Sequence, residues 1–176
     1  SLHGPMVCSI TDGSRGALRR VLDLLHGRQV APLRAETCLV EGHAEGVLVG
    51  GNLSVLAALA GTDHAPPLKG AILLLEDVGE APYRVDRMLT TLIQAGWMDQ
   101  LAGIALGAFS NCAAGPDGTT VEQTLRERLT PLGKPLLAGL PIGHIADNQA
   151  VVLGRPAQLD AGAGTLEHSA LDLETS

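Results

Sequence analysis

The feature that most constrains the fold is an apolar run ending in acidic residues, LLLEDVGE at positions 73–80. An apolar run of this length between polar segments is typical of a strand that is covered on both faces. Acids at the end of such a strand lie at the edge of the sheet, where α/β proteins hold their ligands. The run therefore predicts an α/β fold and makes Glu76 a candidate functional residue.

Helical and strand patterns alternate along the rest of the chain. Helices are predicted from a Ser14 cap to Gly27, over 53–60, from Pro82 to Gly96 and over 120–129. The predicted strands are 37–41 and 46–49 as a hairpin, 70–75, 103–106, 136–140, and an antiparallel set at 150–153, 157–160 and 165–168. We therefore expect a mixed sheet with flanking helices, in a single domain over residues 1–176.

Composition excludes several classes of protein. The formal net charge is −7, and the 12 Lys and Arg residues are scattered, so a nucleic-acid partner is not expected. No apolar stretch approaches the roughly 20 residues of a membrane span, and no signal segment opens the chain, so we expect a cytoplasmic protein. Cys8, Cys38 and Cys112 are odd in number and lack C-x-x-C spacing. They indicate neither a disulfide framework nor a zinc site and are expected to be small core residues.

Three segments stand at the ends of predicted strands: 50–52, 76–80 and 141–144. Loops that leave the same edge of one sheet converge in space, which would bring Glu76 close to His144. A carboxylate facing an imidazole fixes the tautomer of the ring and stabilises the cation that forms when the ring takes a proton. The sequence therefore predicts two of the three groups of a hydrolase triad.

A nucleophile is not evident. No G-x-S-x-G motif occurs, and capping, turn or strand roles account for each of Ser9, Ser14, Ser54 and Ser110. Cys8 or Cys112 could act as a nucleophile with His144 only if its thiol pKa were lowered. Neither cysteine is followed by a helix start or flanked by basic residues, which would lower it.

Simpler interpretations remain open at this point. Glu76 could be a helix-capping or loop acid, and His144 a polar residue of a turn. The segment 50–52 could be an anion site at a helix N-terminus or a turn that needs positive φ. On these interpretations the chain is a ligand-binding or self-association domain without catalytic activity.

Four segments resemble a known family in the same order along the chain. They are HGPM at 3–6, GGNLSVL at 50–56, LLLEDVGEAPYRVDRML at 73–89 and PIGHIADN at 141–148. Together they resemble the carboxy-terminal half of the LD-carboxypeptidases, serine peptidases of the murein tetrapeptide carboxypeptidase and microcin self-immunity group. The resemblance implies a swivelling β/β/α-type carboxy-terminal domain in which Glu76 and His144 match the triad glutamate and histidine.

The resemblance also implies a reaction. Family members release the terminal D-alanine of muropeptide tetrapeptides during wall recycling, or cleave microcin-like peptide nucleotides, without a metal or cofactor. An amino-terminal domain, absent from this sequence, supplies the serine and the oxyanion-hole amides, so the chain alone is expected to be inactive. Asn52, Gly51 and Glu80 are expected to meet the peptide substrate, with Glu80 facing a side-chain amine. Family members also tend to be homodimers.

Overall fold

A mixed eight-stranded sheet forms the centre of the computed structural model, which describes residues 1–7 and 14–171. The strands are β1 (Leu2–His3), β2 (Leu33–Arg34), β3 (Thr37–Val40), β4 (His43–Asn52), β5 (Ile72–Val78), β6 (Gly103–Ser110), β7 (Leu136–Ala138), β8 (Val151–Val152), β9 (Pro156–Asp160) and β10 (Thr165–His168). The helices are α1 (Arg15–Leu25), α2 (Leu53–Leu59), α3 (Pro82–Gln94), α4 (Trp97–Gln100) and α5 (Val121–Leu129).

The strand order in the large sheet is β2-β10-β9-β4-β5-β6-β7-β3. Strands β4 to β7 run parallel to one another, while β9, β10 and β2 on one side and β3 on the other are antiparallel to their neighbours. β1 and β8 form a separate antiparallel pair. The expected α/β fold with a mixed sheet and flanking helices is confirmed.

The apolar run of β5 fills two cores at once. Successive side chains of a strand point to opposite faces. Leu73 and Leu75 therefore pack with residues of α2 and α3, while Ile72 and Leu74 pack with residues of β9, β10 and the segment before β8. Each fully buried leucine contributes about 1.5–3 kcal/mol relative to an exposed one. The same alternation places Glu76 on the face of Leu74 and Asp77 on the helix face.

The predicted helix boundaries rest on local chemistry that the structure shows. Ser14 caps α1 by accepting a hydrogen bond from the Ala17 amide at 3.0 Å, and Pro82 begins α3. Thr120 and Gln123 form a reciprocal capping box at the start of α5. The short β2 and α4 were not predicted.

The predicted hairpin of residues 37–41 and 46–49 is wrong. β3 pairs with β7 at one edge of the sheet, whereas β4 pairs with β5 and β9 in its interior. Leu48 and Val49 of β4 are both buried, so this strand needs covered faces and two neighbours, and burial outweighs the local turn signal. Cys38 was predicted to be a core residue, but it lies in the edge strand β3 and is exposed, so that prediction is wrong. Cys8 and Ser9 lie outside the described residues.

Within residues 1–7 and 14–171, no helix is long and apolar enough to cross a membrane.

Candidate active site

The predicted contact between Glu76 and His144 is present. Glu76 belongs to β5, which runs on to Val78 rather than ending at residue 75 as expected. His144 Nδ1 lies 2.8 Å from Glu76 Oε2. The Glu76 side chain is 1% exposed and that of His144 is 51% exposed, so solvent reaches the imidazole but not the carboxylate that it contacts.

A bulge in β6 makes room for the segment that carries His144. Leu75 pairs with Leu106 and Asp77 with Phe109, so β6 has one residue more than β5 opposite Glu76. The amide of Ala108, one of the bulged residues, donates to the carbonyl of Ile142 at 2.7 Å. Bulges often redirect the backbone beside active sites. This one lets the chain approach the sheet just before His144.

The backbone around His144 is fixed on both sides. The Gly143 amide donates to Asn148 Oδ1 at 3.0 Å, and Asn148 is buried. The Ser110 hydroxyl donates to the His144 carbonyl at 2.8 Å. Because these bonds leave the backbone little freedom, they hold the imidazole in line with Glu76.

Two glycines allow the close approach of this segment to Glu76. Gly143 has φ +124, and a Cβ there would lie 2.8 Å from Glu76 Oε2. A Cβ on Gly107 would lie 2.4 Å from the Ile142 carbonyl oxygen and 3.2 Å from Glu76 Cβ. A side chain at either position would push the His144 segment away from the carboxylate.

Gly143→Ala is expected to destabilise the protein by about 2–6 kcal/mol, because backbone strain and overpacking each cost about 1–3 kcal/mol. Urea denaturation followed by circular dichroism measures the loss. The matched control is Gly118→Ala: Gly118 has φ +82 and open space around it, so only strain is added. Equal losses in the two variants would contradict the close packing of Gly143 on Glu76.

The electrostatics of the pair favour a charged Glu76. Burial raises the pKa of Glu76. The polar contact with His3, the hydrogen bond with His144 and the positive charge that these rings carry when protonated lower it by more, so the net pKa is lowered. A carboxylate accepts only, so His144 must present Nδ1–H to it. This tautomer leaves Nε2 free to accept a proton from a reacting group.

A second imidazole, which sequence reasoning did not select, lies beside Glu76. His3 Nε2 is 3.7 Å from Glu76 Oε1, and the His3 side chain is 22% exposed. His3 belongs to the HGPM segment that carried part of the family resemblance, and this was the available signal.

The predicted substrate residues Asn52 and Gly51 lie close to the pair, within β4. Asn52 pairs in register with Glu76 of the neighbouring strand. Its side chain caps α2: Oδ1 accepts from the Val55 amide at 3.2 Å and Nδ2 donates to Asp77 Oδ1 at 2.9 Å. The Asn52 amide is thus already engaged within the protein.

Gly51 is buried with φ +135, and a Cβ there would lie 3.7 Å from the His3 ring. A turn that needs positive φ was one of the alternatives for segment 50–52. Gly51 does have positive φ, but it lies at the end of a strand and not in a turn. Gly51 therefore lies next to the His3 ring, which in turn lies beside the Glu76 carboxylate.

Glu80 lies apart from the pair. It lines a cavity of about 710 Å³ with Tyr83 and Asp117, and neither Glu76 nor His144 borders that cavity. Glu80 Oε2 is 3.7 Å from an Arg84 guanidinium nitrogen. The structure thus places the backbone of Asn52 next to Glu76 and Gly51 next to His3, while the Asn52 side chain is held on the helix face. Glu80 lines a separate cavity.

No nucleophile stands beside His144 in the part of the chain that the structure describes. The hydroxyls of Ser14, Ser54 and Ser110 donate to Asp147, to Asn52 and to the His144 carbonyl, respectively. Burial raises the pKa of the Cys112 thiol, which disfavours the reactive thiolate. Among the residues that the structure describes, no group of three or more His, Cys, Asp or Glu side chains could hold a metal ion.

The chain is similar to known carboxypeptidases. It is 45% identical over 168 residues to a putative carboxypeptidase of Synechocystis, covering 94% of this chain and 56% of that protein. It is 34% identical over 176 residues to a probable murein peptide carboxypeptidase of Bacillus subtilis, covering 94% and 54%. The chain thus spans about half the length of these relatives.

Solved structures and a family model agree with this likeness. The crystal structure of muramoyltetrapeptide carboxypeptidase from Oxalobacter formigenes matches with a TM-score of 0.84 and 31% identity, over 98% of this chain and 61% of that one. The microcin C7 self-immunity protein MccF, at 17% identity and a TM-score of 0.79, shares the fold. The model of the LD-carboxypeptidase C-terminal domain matches residues 45–159. Because that match covers more than half of the sequence, the chain belongs to the LD-carboxypeptidase family.

Proposed function

We propose that the chain is the carboxy-terminal part of a serine LD-carboxypeptidase and supplies the glutamate and histidine of a Ser-Glu-His triad. The observation that carries the proposal is the 2.8 Å contact between a buried carboxylate and an exposed imidazole. Glu76 fixes the tautomer of His144, and His144 presents Nε2 where a second domain can reach it.

The nucleophilic serine is proposed to lie in an amino-terminal domain outside residues 1–176. The relatives are about twice as long as the region they share with this chain, which leaves room for such a domain. The serine and cysteine side chains described beside the pair do not offer an alternative.

In the proposed reaction, His144 Nε2 accepts the serine proton as the hydroxyl oxygen attacks the amide carbonyl. The protonated ring then donates this proton to the nitrogen of the departing D-amino acid, and an acyl-enzyme remains. His144 Nε2 next takes a proton from water as the water oxygen attacks the ester carbonyl. The ring returns this proton to the serine oxygen as the shortened peptide is released. Throughout, Glu76 stabilises the ring when it is charged and does not itself take the proton.

The proposed substrate is a muropeptide tetrapeptide, with terminal D-alanine as the leaving group and peptidoglycan recycling in the cytoplasm as the setting. The names of the relatives support this choice, including a murein tetrapeptide carboxypeptidase of Pseudomonas aeruginosa that is 42% identical over 119 residues. The likeness to MccF is too distant in sequence to favour a peptide nucleotide. The protein is proposed to form a homodimer, because members of the family tend to be homodimers.

D-Alanine release from a muropeptide tetrapeptide tests the proposal. The chain alone is expected to show no rate above background, and mixing it with the amino-terminal domain of the longer protein, or extending it by that domain, is expected to restore release. A peptide nucleotide and a tetrapeptide ending in L-alanine serve as comparison substrates. Failure of the extended protein to cleave any of them would favour a binding domain without catalytic activity.

A further inference from the structure

Glu76 has two oxygens, and an imidazole lies beside each of them. Oε2 is 2.8 Å from His144 Nδ1, while Oε1 is 3.7 Å from His3 Nε2. The second distance exceeds that of a hydrogen bond and is the separation of a close polar contact. The Glu76 side chain is 1% exposed, so bulk water has almost no access to the carboxylate.

The position of His3 is set by backbone contacts at the start of the chain. β1 pairs with β8, so that His3 stands opposite Val151. The Ser1 carbonyl accepts from the Leu153 amide at 2.8 Å. A Cβ on Gly4 would lie 2.9 Å from Ala150 Cβ, so the next residue is packed tightly as well. His3 is therefore held beside Glu76 by its backbone and not by a flexible loop.

The surroundings of His3 indicate which ring nitrogen carries the proton. Nδ1 is buried and has no hydrogen-bond partner among the described residues. A proton on Nδ1 would be a buried donor without an acceptor, which is costly. Of the two neutral tautomers, the one with the proton on Nε2 is thus favoured, and that N–H faces Glu76 Oε1.

We propose that His3 is a positioning residue that holds Glu76 from the side opposite His144. This inference rests on the proposed function. Without His3, the Glu76 carboxylate could rotate about its terminal torsion, which is soft. With an N–H group near each oxygen, the carboxylate stays aimed at His144 and stays charged although it is buried. His3 acts through Glu76 and does not touch the reacting atoms.

Among the described titratable groups, those that face the Glu76 carboxylate are His3 and His144. Asp77 is next in sequence, but its carboxylate accepts from Asn52 Nδ2 and the Ser54 amide on the helix face. The two imidazoles are therefore the groups whose removal should change the titration of Glu76.

Two variants of similar size distinguish the effect of the His3 N–H donor from the effect of the His3 side-chain volume. His3→Gln keeps an N–H donor near the position of Nε2, and His3→Met fills similar space without one. In the extended protein, His3→Met is expected to lower kcat for D-alanine release about tenfold with KM changed less than twofold, and His3→Gln to restore most of the loss. His64→Asn, in the exposed loop between α2 and β5, is the control.

A second measurement does not depend on activity. Carbon-13 NMR of the Glu76 carboxyl in the chain is expected to show a higher pKa in His3→Met than in the original sequence, with His3→Gln close to the original. An unchanged Glu76 pKa in His3→Met, or equal kcat values for the Met and Gln variants, would overturn the inference. If the extended protein cleaves no substrate, the proposed function fails, and the titration alone decides whether His3 holds Glu76.

Discussion

Replacing His144 with alanine in the extended protein is expected to lower kcat for D-alanine release by a factor of about 10⁴ to 10⁶. The imidazole is the proposed base for the serine and the proposed acid for the leaving amine, so both proton transfers are lost together. KM should change little, because the ring transfers protons and does not hold the ground-state peptide. Steady-state kinetics with a muropeptide tetrapeptide measures the effect.

The control for this variant is His43→Ala. His43 is an exposed histidine of β4 whose Nε2 lies 3.3 Å from Glu45 Oε1, so the change removes a comparable imidazole and carboxylate contact at the surface. It is expected to leave kcat within twofold. A His144→Ala protein that retains more than a tenth of the original kcat would exclude His144 as the general base.

Glu76→Gln is expected to lower kcat by about 10³ to 10⁴. Glutamine has nearly the same volume, but it carries no charge to stabilise the imidazolium. Its amide can also offer an N–H to His144 Nδ1, which favours the tautomer with the proton on Nε2 and blocks proton acceptance. The loss should appear in kcat more than in KM, since Glu76 is buried behind the ring.

Glu45→Gln is the matched control, since Glu45 also faces a histidine but has a side chain that is 67% exposed. Circular dichroism of Glu76→Gln should show a folded protein, because the amide can keep hydrogen bonds at the same site. An activity loss below tenfold would mean that Glu76 does not act on His144.

The contact between Glu76 and His144 could be predicted because parallel strands place their carboxyl ends at one edge of a sheet. The apolar run identified β5, and the Pro-x-Gly segment before His144 marked the end of another strand. The helix starts at Ser14, Pro82 and Thr120 could be predicted from local capping chemistry. These are features that short stretches of sequence determine.

The contacts that the sequence did not reveal are long-range. His3 reaches Glu76 through a two-residue strand that pairs with β8, near the other end of the chain, and so short a strand has no pattern of its own. Glu80 was expected near the site, but β5 continues to Val78 and the chain then turns at Gly79 towards α3. The bulge in β6 likewise depends on the segment packed against it.

The most direct test of the account is a double-mutant cycle on kcat for D-alanine release, with Glu76→Gln, His144→Ala and both changes together in the extended protein. If Glu76 acts only through His144, the double variant should be no slower than His144→Ala alone, within about threefold. Losses that multiply, so that the double variant is slower by a further factor of about 10³, would show that the two residues act independently and would contradict the proposed pair.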